Sequence, residues 1–128
     1  MLVQQRGLEG NVVFAGVVSD EEKAALYGGA DVFVLPVRED GDDMEGFGLV
    51  FLEAGLHGLP SICGKSGGAA DAVEDGRTGI HCDGRDIGGV HAALARLLSD
   101  DALRRRLGDA ARVKAEANVW GRRIGELV

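Results

Sequence analysis

The sequence predicts an α/β domain: a small parallel sheet of about four strands with helices on both faces. Three observations lead there. Glycine is abundant, at 21 of 128 residues, while aromatic residues make up only 5%, which suits a chain whose tight strand-to-helix turns carry function. The run Ala30-Asp-Val-Phe-Val-Leu-Pro36 is apolar on both faces, as in a parallel strand covered by helices. Strand-like runs then alternate with helix-like ones along the chain, the rhythm of βαβ units.

Taken in order, Gln4 to Gly10 is a polar fragment resembling a helix end, and Asn11-Val-Val-Phe-Ala-Gly16 is a first short strand with a glycine stop. Ser19-Asp-Glu-Glu22 reads as a helix start, with Ser19 or Asp20 as the cap and acids in the first turn. That helix ends at Gly28-Gly29, and Ala30 to Pro36 is the second strand. An acidic loop, Arg38 to Met44, leads into a helix from about Gly46 to His57. Leu59-Pro-Ser-Ile-Cys63 is the third strand, with proline at its start, where a missing N–H costs least. Gly64-Lys-Ser-Gly-Gly68 turns into a short helix, Ala69 to Glu74, and Asp75-Gly76 leads to the fourth strand, Thr78 to Cys82. Asp86 caps a helix with Val90, Leu94, Leu97 and Leu98 on one face. A last helix starts near Asp100 and passes Leu103, Leu107 and Val113 towards Trp120, expected to anchor the tail.

At 128 residues the chain makes one domain, 1–128, small for a complete two-substrate enzyme. A net charge of −7 excludes a nucleic-acid-binding surface, which needs a basic footprint. It does not favour a phosphorylated ligand either, although Asp101 to Val128 holds seven Lys/Arg against four Asp/Glu. Cys63 and Cys82 have neither metal-ligand nor disulfide-framework spacing, and are expected as buried thiols of a reducing compartment. With no leader-like or membrane-spanning pattern in these residues, the expected place is the cytoplasm, with a peripheral position at the inner face of the membrane open to a partner domain. His57, His81 and His91 show no ligand spacing and are expected as ordinary core or surface residues. Arg104-Arg-Arg106 reads as the solvated face of the last helix.

The chemistry concentrates in Glu45-Gly-Phe-Gly-Leu-Val-Phe-Leu-Glu53. From Gly46 to Leu59, Glu53 is the only charged side chain. A lone buried carboxylate costs several kcal/mol unless it is paired. Two readings stand level: Glu53 holds a ligand, or it pairs with a basic side chain of a neighbouring helix. On a helix from Gly46, Glu45 and Glu53 lie about 12 Å apart along the axis. That is too far to flank one scissile bond as a glycosidase pair does, but it suits the two ends of an elongated ligand. Between them, the backbone N–H groups of Gly46, Phe47 and Gly48 form a natural anion site. Lys65-Ser66-Gly67-Gly68 is not a Walker A loop; it can cradle an anion or a sugar hydroxyl, or serve as a tight connection.

With these motifs in hand, the chain resembles the C-terminal, donor-binding half of GT-B retaining glycosyltransferases of family 4, the glycosyl transferases group 1. The resemblance rests on Val13-Phe-Ala-Gly16, Ala30 to Pro36, Glu45-x7-Glu53 with Ala54, Gly58-Leu-Pro60, Gly67-Gly68 and Asp75-Gly-Arg-Thr-Gly79. The run from Glu45 to Gly79 is most similar to bacterial mannosyltransferases, including those that act on phosphatidylinositol. The resemblance implies a Rossmann-like sheet and hexosyl transfer with retention from a GDP- or UDP-linked sugar, without a metal or other cofactor in this half. It implies that Glu45 is catalytic, contacting the transferred sugar near its C3 and C4 hydroxyls. Gly46, Phe47, Gly48 and Leu49 would present backbone amides to sugar and diphosphate, and Glu53 would hold the ribose hydroxyls. Gly16 and Val17 would line the nucleobase slot, with Gly67 and Gly68 beside the donor cleft.

Two departures follow. Ala70-Asp71 stands where the family continues with Pro-Glu. The family's C-terminal half also opens with two further strands, the first carrying the Arg and Lys that clamp the diphosphate, and these are not matched here; nor is the acceptor-binding N-terminal domain. A fragment or split gene product is therefore expected, inactive alone, completed by the N-terminal acceptor domain or a partner chain. In the doubly wound order 3-2-1-4-5-6, the Asn11 to Gly16 strand loses its neighbour. It must then pair beside Ala30 to Pro36, move to an edge, or find a partner, leaving an edge open to a homodimer. A non-catalytic nucleotide-sugar-binding module, a subunit of a split enzyme, and a structural domain that has lost its ligand are the rival readings.

Overall fold

The computed structural model describes residues 2–36, 47–65 and 72–127, with side chains described as far as residue 118 except that of Phe47. Three parallel strands form the sheet in the order β1-β2-β3: β1 is Phe33–Leu35, β2 is Ser61–Gly64 and β3 is Gly79–Cys82. Val34 lies beside Ile62, and Ile62 beside Ile80, so the register is continuous across the sheet. Five helices accompany them among the described residues: α1 (Leu2–Gln5), α2 (Asp20–Gly29), α3 (Phe47–Leu56), α4 (Ile87–Ser99) and α5 (Asp101–Leu127).

The central strand explains the layering. All four residues of β2 are buried, and successive side chains of a strand point to opposite faces. Ile62 joins Cys82 and, from the helices on that face, Ala93, Leu97, Leu103 and Leu107. Cys63 joins Phe51 and Val73 on the other face, with Phe33 and Leu35 packed against them. The sheet is thus covered by α4 and α5 on one side and α3 on the other, as the apolar runs require.

Local signals set the helix ends. Ser19 caps α2 through a full capping box: its Oγ accepts from Glu22 N at 3.1 Å, while Ser19 N donates to the Glu22 carboxylate at 3.4 Å. Helix α3 ends in a Schellman turn, where Leu59 N donates to Ala54 O and Gly58 N to Gly55 O. Gly58 adopts φ +73° there, a conformation that costs a residue with a Cβ. Asp100 Oδ1 accepts from Leu103 N at 3.0 Å and starts α5.

Four expectations need correction. The Asn11 to Gly16 run forms no strand; residues 11–17 are exposed, with Val13 at 89% and Phe14 at 67%. Among the described residues the sheet has three strands where about four were expected. Extended backbone needs a neighbouring strand for its N–H and C=O groups, and in the doubly wound order that neighbour is not β1. Asp86 occupies the N-cap position of α4 as expected, but its side chain makes no cap bond; its main-chain O accepts the first helical bond, from Val90 N. Leu98 is exposed, so Ala93 and Leu97 carry the buried face of α4. Arg104 is not part of a solvated face: it donates to Leu97 O at 3.1 Å and pairs with Asp101 at 2.7 Å, stapling α4 to α5. The short helix expected over Ala69 to Glu74 lies largely outside the described residues, as do the acidic loop and the side chain of Trp120.

Candidate functional site

Helix α3 presents two faces. Phe51, Ala54 and Gly55 turn inward and are buried, whereas Leu49, Glu53 and Leu56, spaced four and three apart, share the outer side. Glu53 is therefore not a buried carboxylate but a half-exposed one facing α2. Lys23 Nζ lies 3.4 Å from its Oε2, the two side chains being 45% and 41% exposed. Tyr27 donates its hydroxyl to the same Oε2 at 3.4 Å. Lys23 and Tyr27 stand one turn apart on α2, so one helix face supplies both contacts. The basic neighbour that the sequence left as one of two readings is thus present. A carboxylate offers about four lone-pair directions, so these two contacts leave capacity for a ligand.

Around Glu53 lies an open cleft of about 330 Å³, lined by Asp20, Lys23, Ala24, Tyr27, Glu53, Leu56 and His57. Tyr27 and His57 stack with ring centroids 5.2 Å apart and planes at 24°. Tyr27 also meets Phe33 at 5.9 Å, and Phe33 meets Phe51 edge-on at 5.6 Å, which ties the cleft to the core. His57 Nδ1 is 3.1 Å from Glu53 O. A carbonyl oxygen only accepts, so Nδ1 carries a proton and Nε2 faces the remaining choice of acceptor or donor. Burial first, then the Glu53 charge and its hydrogen bond, push the Tyr27 hydroxyl above its ordinary value of 10.0.

Helix α3 begins at Phe47, with no acidic side chain in its first turn. Phe47, Gly48 and Leu49 form the start of the described part of this helix. Phe47 and Glu53 are separated by about 9 Å along the axis at 1.5 Å per residue. Gly16 takes φ +66° and Val17 is fully exposed, and neither lines the Glu53 cleft. Glu45, Gly46, Gly67 and Gly68 lie outside the described residues. Sequence reasoning singled out Glu53 but missed Lys23 and Tyr27, which meet it from another helix. It also gave His57 no role beside Tyr27.

A second concavity, of about 340 Å³, opens where β2 and β3 end, between Lys65, Asp83, Asp86 and Arg96. Beside it, His81 N donates to Asp75 Oδ1 at 2.9 Å and the His81 ring bonds to Val73 O. Both cysteines are buried and neither forms a disulfide. Burial, then Cys82 and Asp75, push the Cys63 thiol up to about 12. Among the described residues, no group of three His, Cys, Asp or Glu side chains is placed to hold a metal ion. No described helix is long and apolar enough to cross a membrane.

The chain is similar to known proteins. Over 128 aligned residues, covering 95% of the chain, it is 40% identical to a GDP-mannose-dependent alpha-(1-6)-phosphatidylinositol monomannoside mannosyltransferase of Mycolicibacterium smegmatis. A glycogen synthase of Mycobacterium tuberculosis is 40% identical over 99 residues, 77% of this chain and 23% of that protein. The chain spans about a third of the length of the mannosyltransferase, 34%. Among solved structures, a sucrose-phosphate synthase of Thermosynechococcus elongatus superposes with a TM-score of 0.80 at 30% identity, covering 98% of this chain and 31% of that one. The C-terminal domain of a group 1 glycosyl transferase (LpcC) of Francisella tularensis superposes with a TM-score of 0.78 at 24% identity, over 91% of this chain and 57% of that one, and speaks to the fold alone. The three-stranded sheet is of the Rossmann-like GT-B type. Residues 1–114 match the family of glycosyl transferases group 1, and the chain belongs to that family.

Proposed function

We propose that this chain is the donor-binding portion of a glycosyltransferase that transfers a hexosyl group, with retention, from a nucleoside diphosphate sugar. The observation that carries the reading is the position of Glu53: a half-exposed carboxylate in an open cleft, about 9 Å along α3 from its N-terminal amides. A ribose diol at Glu53 and a diphosphate at Phe47, Gly48 and Leu49 use both ends of that distance. Glu45 and Gly46 complete the sugar side, Gly67 and Gly68 the adjoining turn, and Gly16 and Val17 the nucleobase side, as the family resemblance implies. The printed activity of the mannosyltransferase relative favours GDP-mannose as the first donor to try. The acceptor side comes from another part of the protein or a partner chain. A cytoplasmic place, peripheral to the inner face of the membrane, suits a chain similar to enzymes of phosphatidylinositol mannosides.

A thermal-shift panel tests this directly. GDP, UDP and ADP, each with a sugar conjugate, are added to the chain at millimolar concentration. A ligand at a hundred times its Kd stabilises a fold by about 2.7 kcal/mol, an unmistakable rise in melting temperature. One nucleotide raising the midpoint supports a donor site and names the base. No rise with any of them contradicts the proposal.

A further inference from the structure

We infer that Tyr27 and Lys23 are positioning residues for Glu53, holding one carboxylate oxygen so that the other serves the ligand; this rests on the ribose-binding reading above. Both contacts go to the same atom: Tyr27 Oη and Lys23 Nζ each lie 3.4 Å from Oε2. Neither of these two contacts is made to Oε1. A glutamate side chain has three rotatable bonds, and on an exposed helix face it samples several rotamers. The Tyr27 hydrogen bond and the Lys23 charge, both on Oε2, favour the rotamers that keep this oxygen towards α2. The lone pairs of Oε1 then remain for the hydroxyls of a vicinal diol.

Tyr27 is itself immobilised. Its ring lies between His57 at 5.2 Å and Phe33 at 5.9 Å, and Phe33 is packed into the core through Phe51. The hydroxyl is therefore carried on a rigid arm rather than a loose one. Lys23 is the opposite kind of partner. It is flexible, strongly hydrated and half-exposed, so it offsets charge more than it sets geometry. Of the two, Tyr27 orients and Lys23 supports.

The test compares GDP with 2′,3′-dideoxy-GDP, and UDP with its dideoxy form, by calorimetric titration into the 128-residue chain. The readout is the preference for the hydroxylated ligand, because a defect that was only structural would weaken both alike. Four variants are needed. Glu53→Gln tests the underlying reading, and Tyr27→Phe keeps the ring stack but removes the hydroxyl. Lys23→Met keeps the stem, and Lys23→Arg serves as the conservative rescue.

In the expected result, wild type prefers the ribose ligand and Glu53→Gln loses that preference. Tyr27→Phe then lowers it about three- to tenfold, the worth of one hydrogen bond. Lys23→Met lowers it less, and Lys23→Arg restores it. If Glu53→Gln abolishes the preference while Tyr27→Phe and Lys23→Met keep the wild-type value, the positioning role is wrong and the ribose reading stands. If wild type shows no preference, or Glu53→Gln retains it, the ribose reading fails and the positioning role fails with it.

Discussion

Gly108 of α5 packs directly on the carbonyl of Gly58, the residue that terminates α3: a Cβ at position 108 would overlap Gly58 O and press on Pro60. Three residues further on, the same helix side continues, since a Cβ on Gly55 would stand 2.8 Å from Ala111 O and 3.2 Å from Ala115 Cβ. Small residues thus let α3 and α5 approach closely and set the position of the helix that carries Glu53.

Gly108→Ala should therefore destabilise the fold by about 1–3 kcal/mol, the usual cost of overpacking a well-filled contact. The gain in helix propensity of about 1 kcal/mol from replacing glycine offsets part of it. Urea denaturation of the variant, read as a lower midpoint at unchanged slope, checks this. An unchanged midpoint would mean that α5 shifts without cost.

Leu97 and Ile62 are fully buried against one another's cluster. Leu97→Ala should cost about 2–5 kcal/mol through lost burial and the cavity left behind. For a domain of this size such a loss takes a large part of the total stability. Chemical denaturation again decides, and a cost below 1 kcal/mol would contradict the assigned core.

Much of this fold was legible in the sequence, for a physical reason. Ala30 to Pro36 is apolar on both faces, as a parallel strand covered by helices is, and Leu59 to Cys63 and Thr78 to Cys82 follow it at the rhythm of βαβ units. The Asn11 to Gly16 run looks the same residue by residue. Whether it becomes a strand depends on a neighbour, which composition does not encode, and here its apolar side chains are exposed. Arg104 was misread for a related reason: its helical phase says nothing of the α4 carbonyl placed against it. At the site, Glu53 stood out as the only charge in an apolar stretch. Its partners did not, because Lys23 and Tyr27 lie 30 and 26 residues earlier in the chain and nothing local links the two helices.

Ser19→Ala removes the capping box of α2 and should cost about 1 kcal/mol. Helix α2 buries no residue of its own, so the loss should show as local fraying more than as global unfolding. Hydrogen exchange of the first-turn amides should speed up, while protection of β2 stays unchanged. Equal loosening of both would mean that α2 and the sheet unfold as one unit.

Cys63 gives an alkaline signature. Its folded-state pKa is raised from 9.0 to about 12, so the folded protein keeps the thiol proton after the unfolded chain has lost it. The associated stability is fully present below pH 9 and is lost as pH rises towards 12. Tyr27, also raised, adds to the same decline above its ordinary value. Denaturation midpoints measured between neutral and alkaline pH should fall through this window, and Cys63→Ala should flatten the slope. A thiol reagent at neutral pH should leave native Cys63 unmodified. Rapid labelling of the folded chain would contradict the burial.

Calorimetric titration of GDP into wild type and Glu53→Ala tests most directly the proposal that Glu53 binds the nucleotide donor. The half-exposed Lys23–Glu53 pair contributes about 1 kcal/mol or less to folding, so the variant should melt close to wild type and its affinity can be compared fairly. The account predicts saturable binding to wild type and affinity at least about tenfold weaker in the variant, a difference of about 1.4 kcal/mol. Equal affinity in the two proteins, or no binding to wild type, would contradict it.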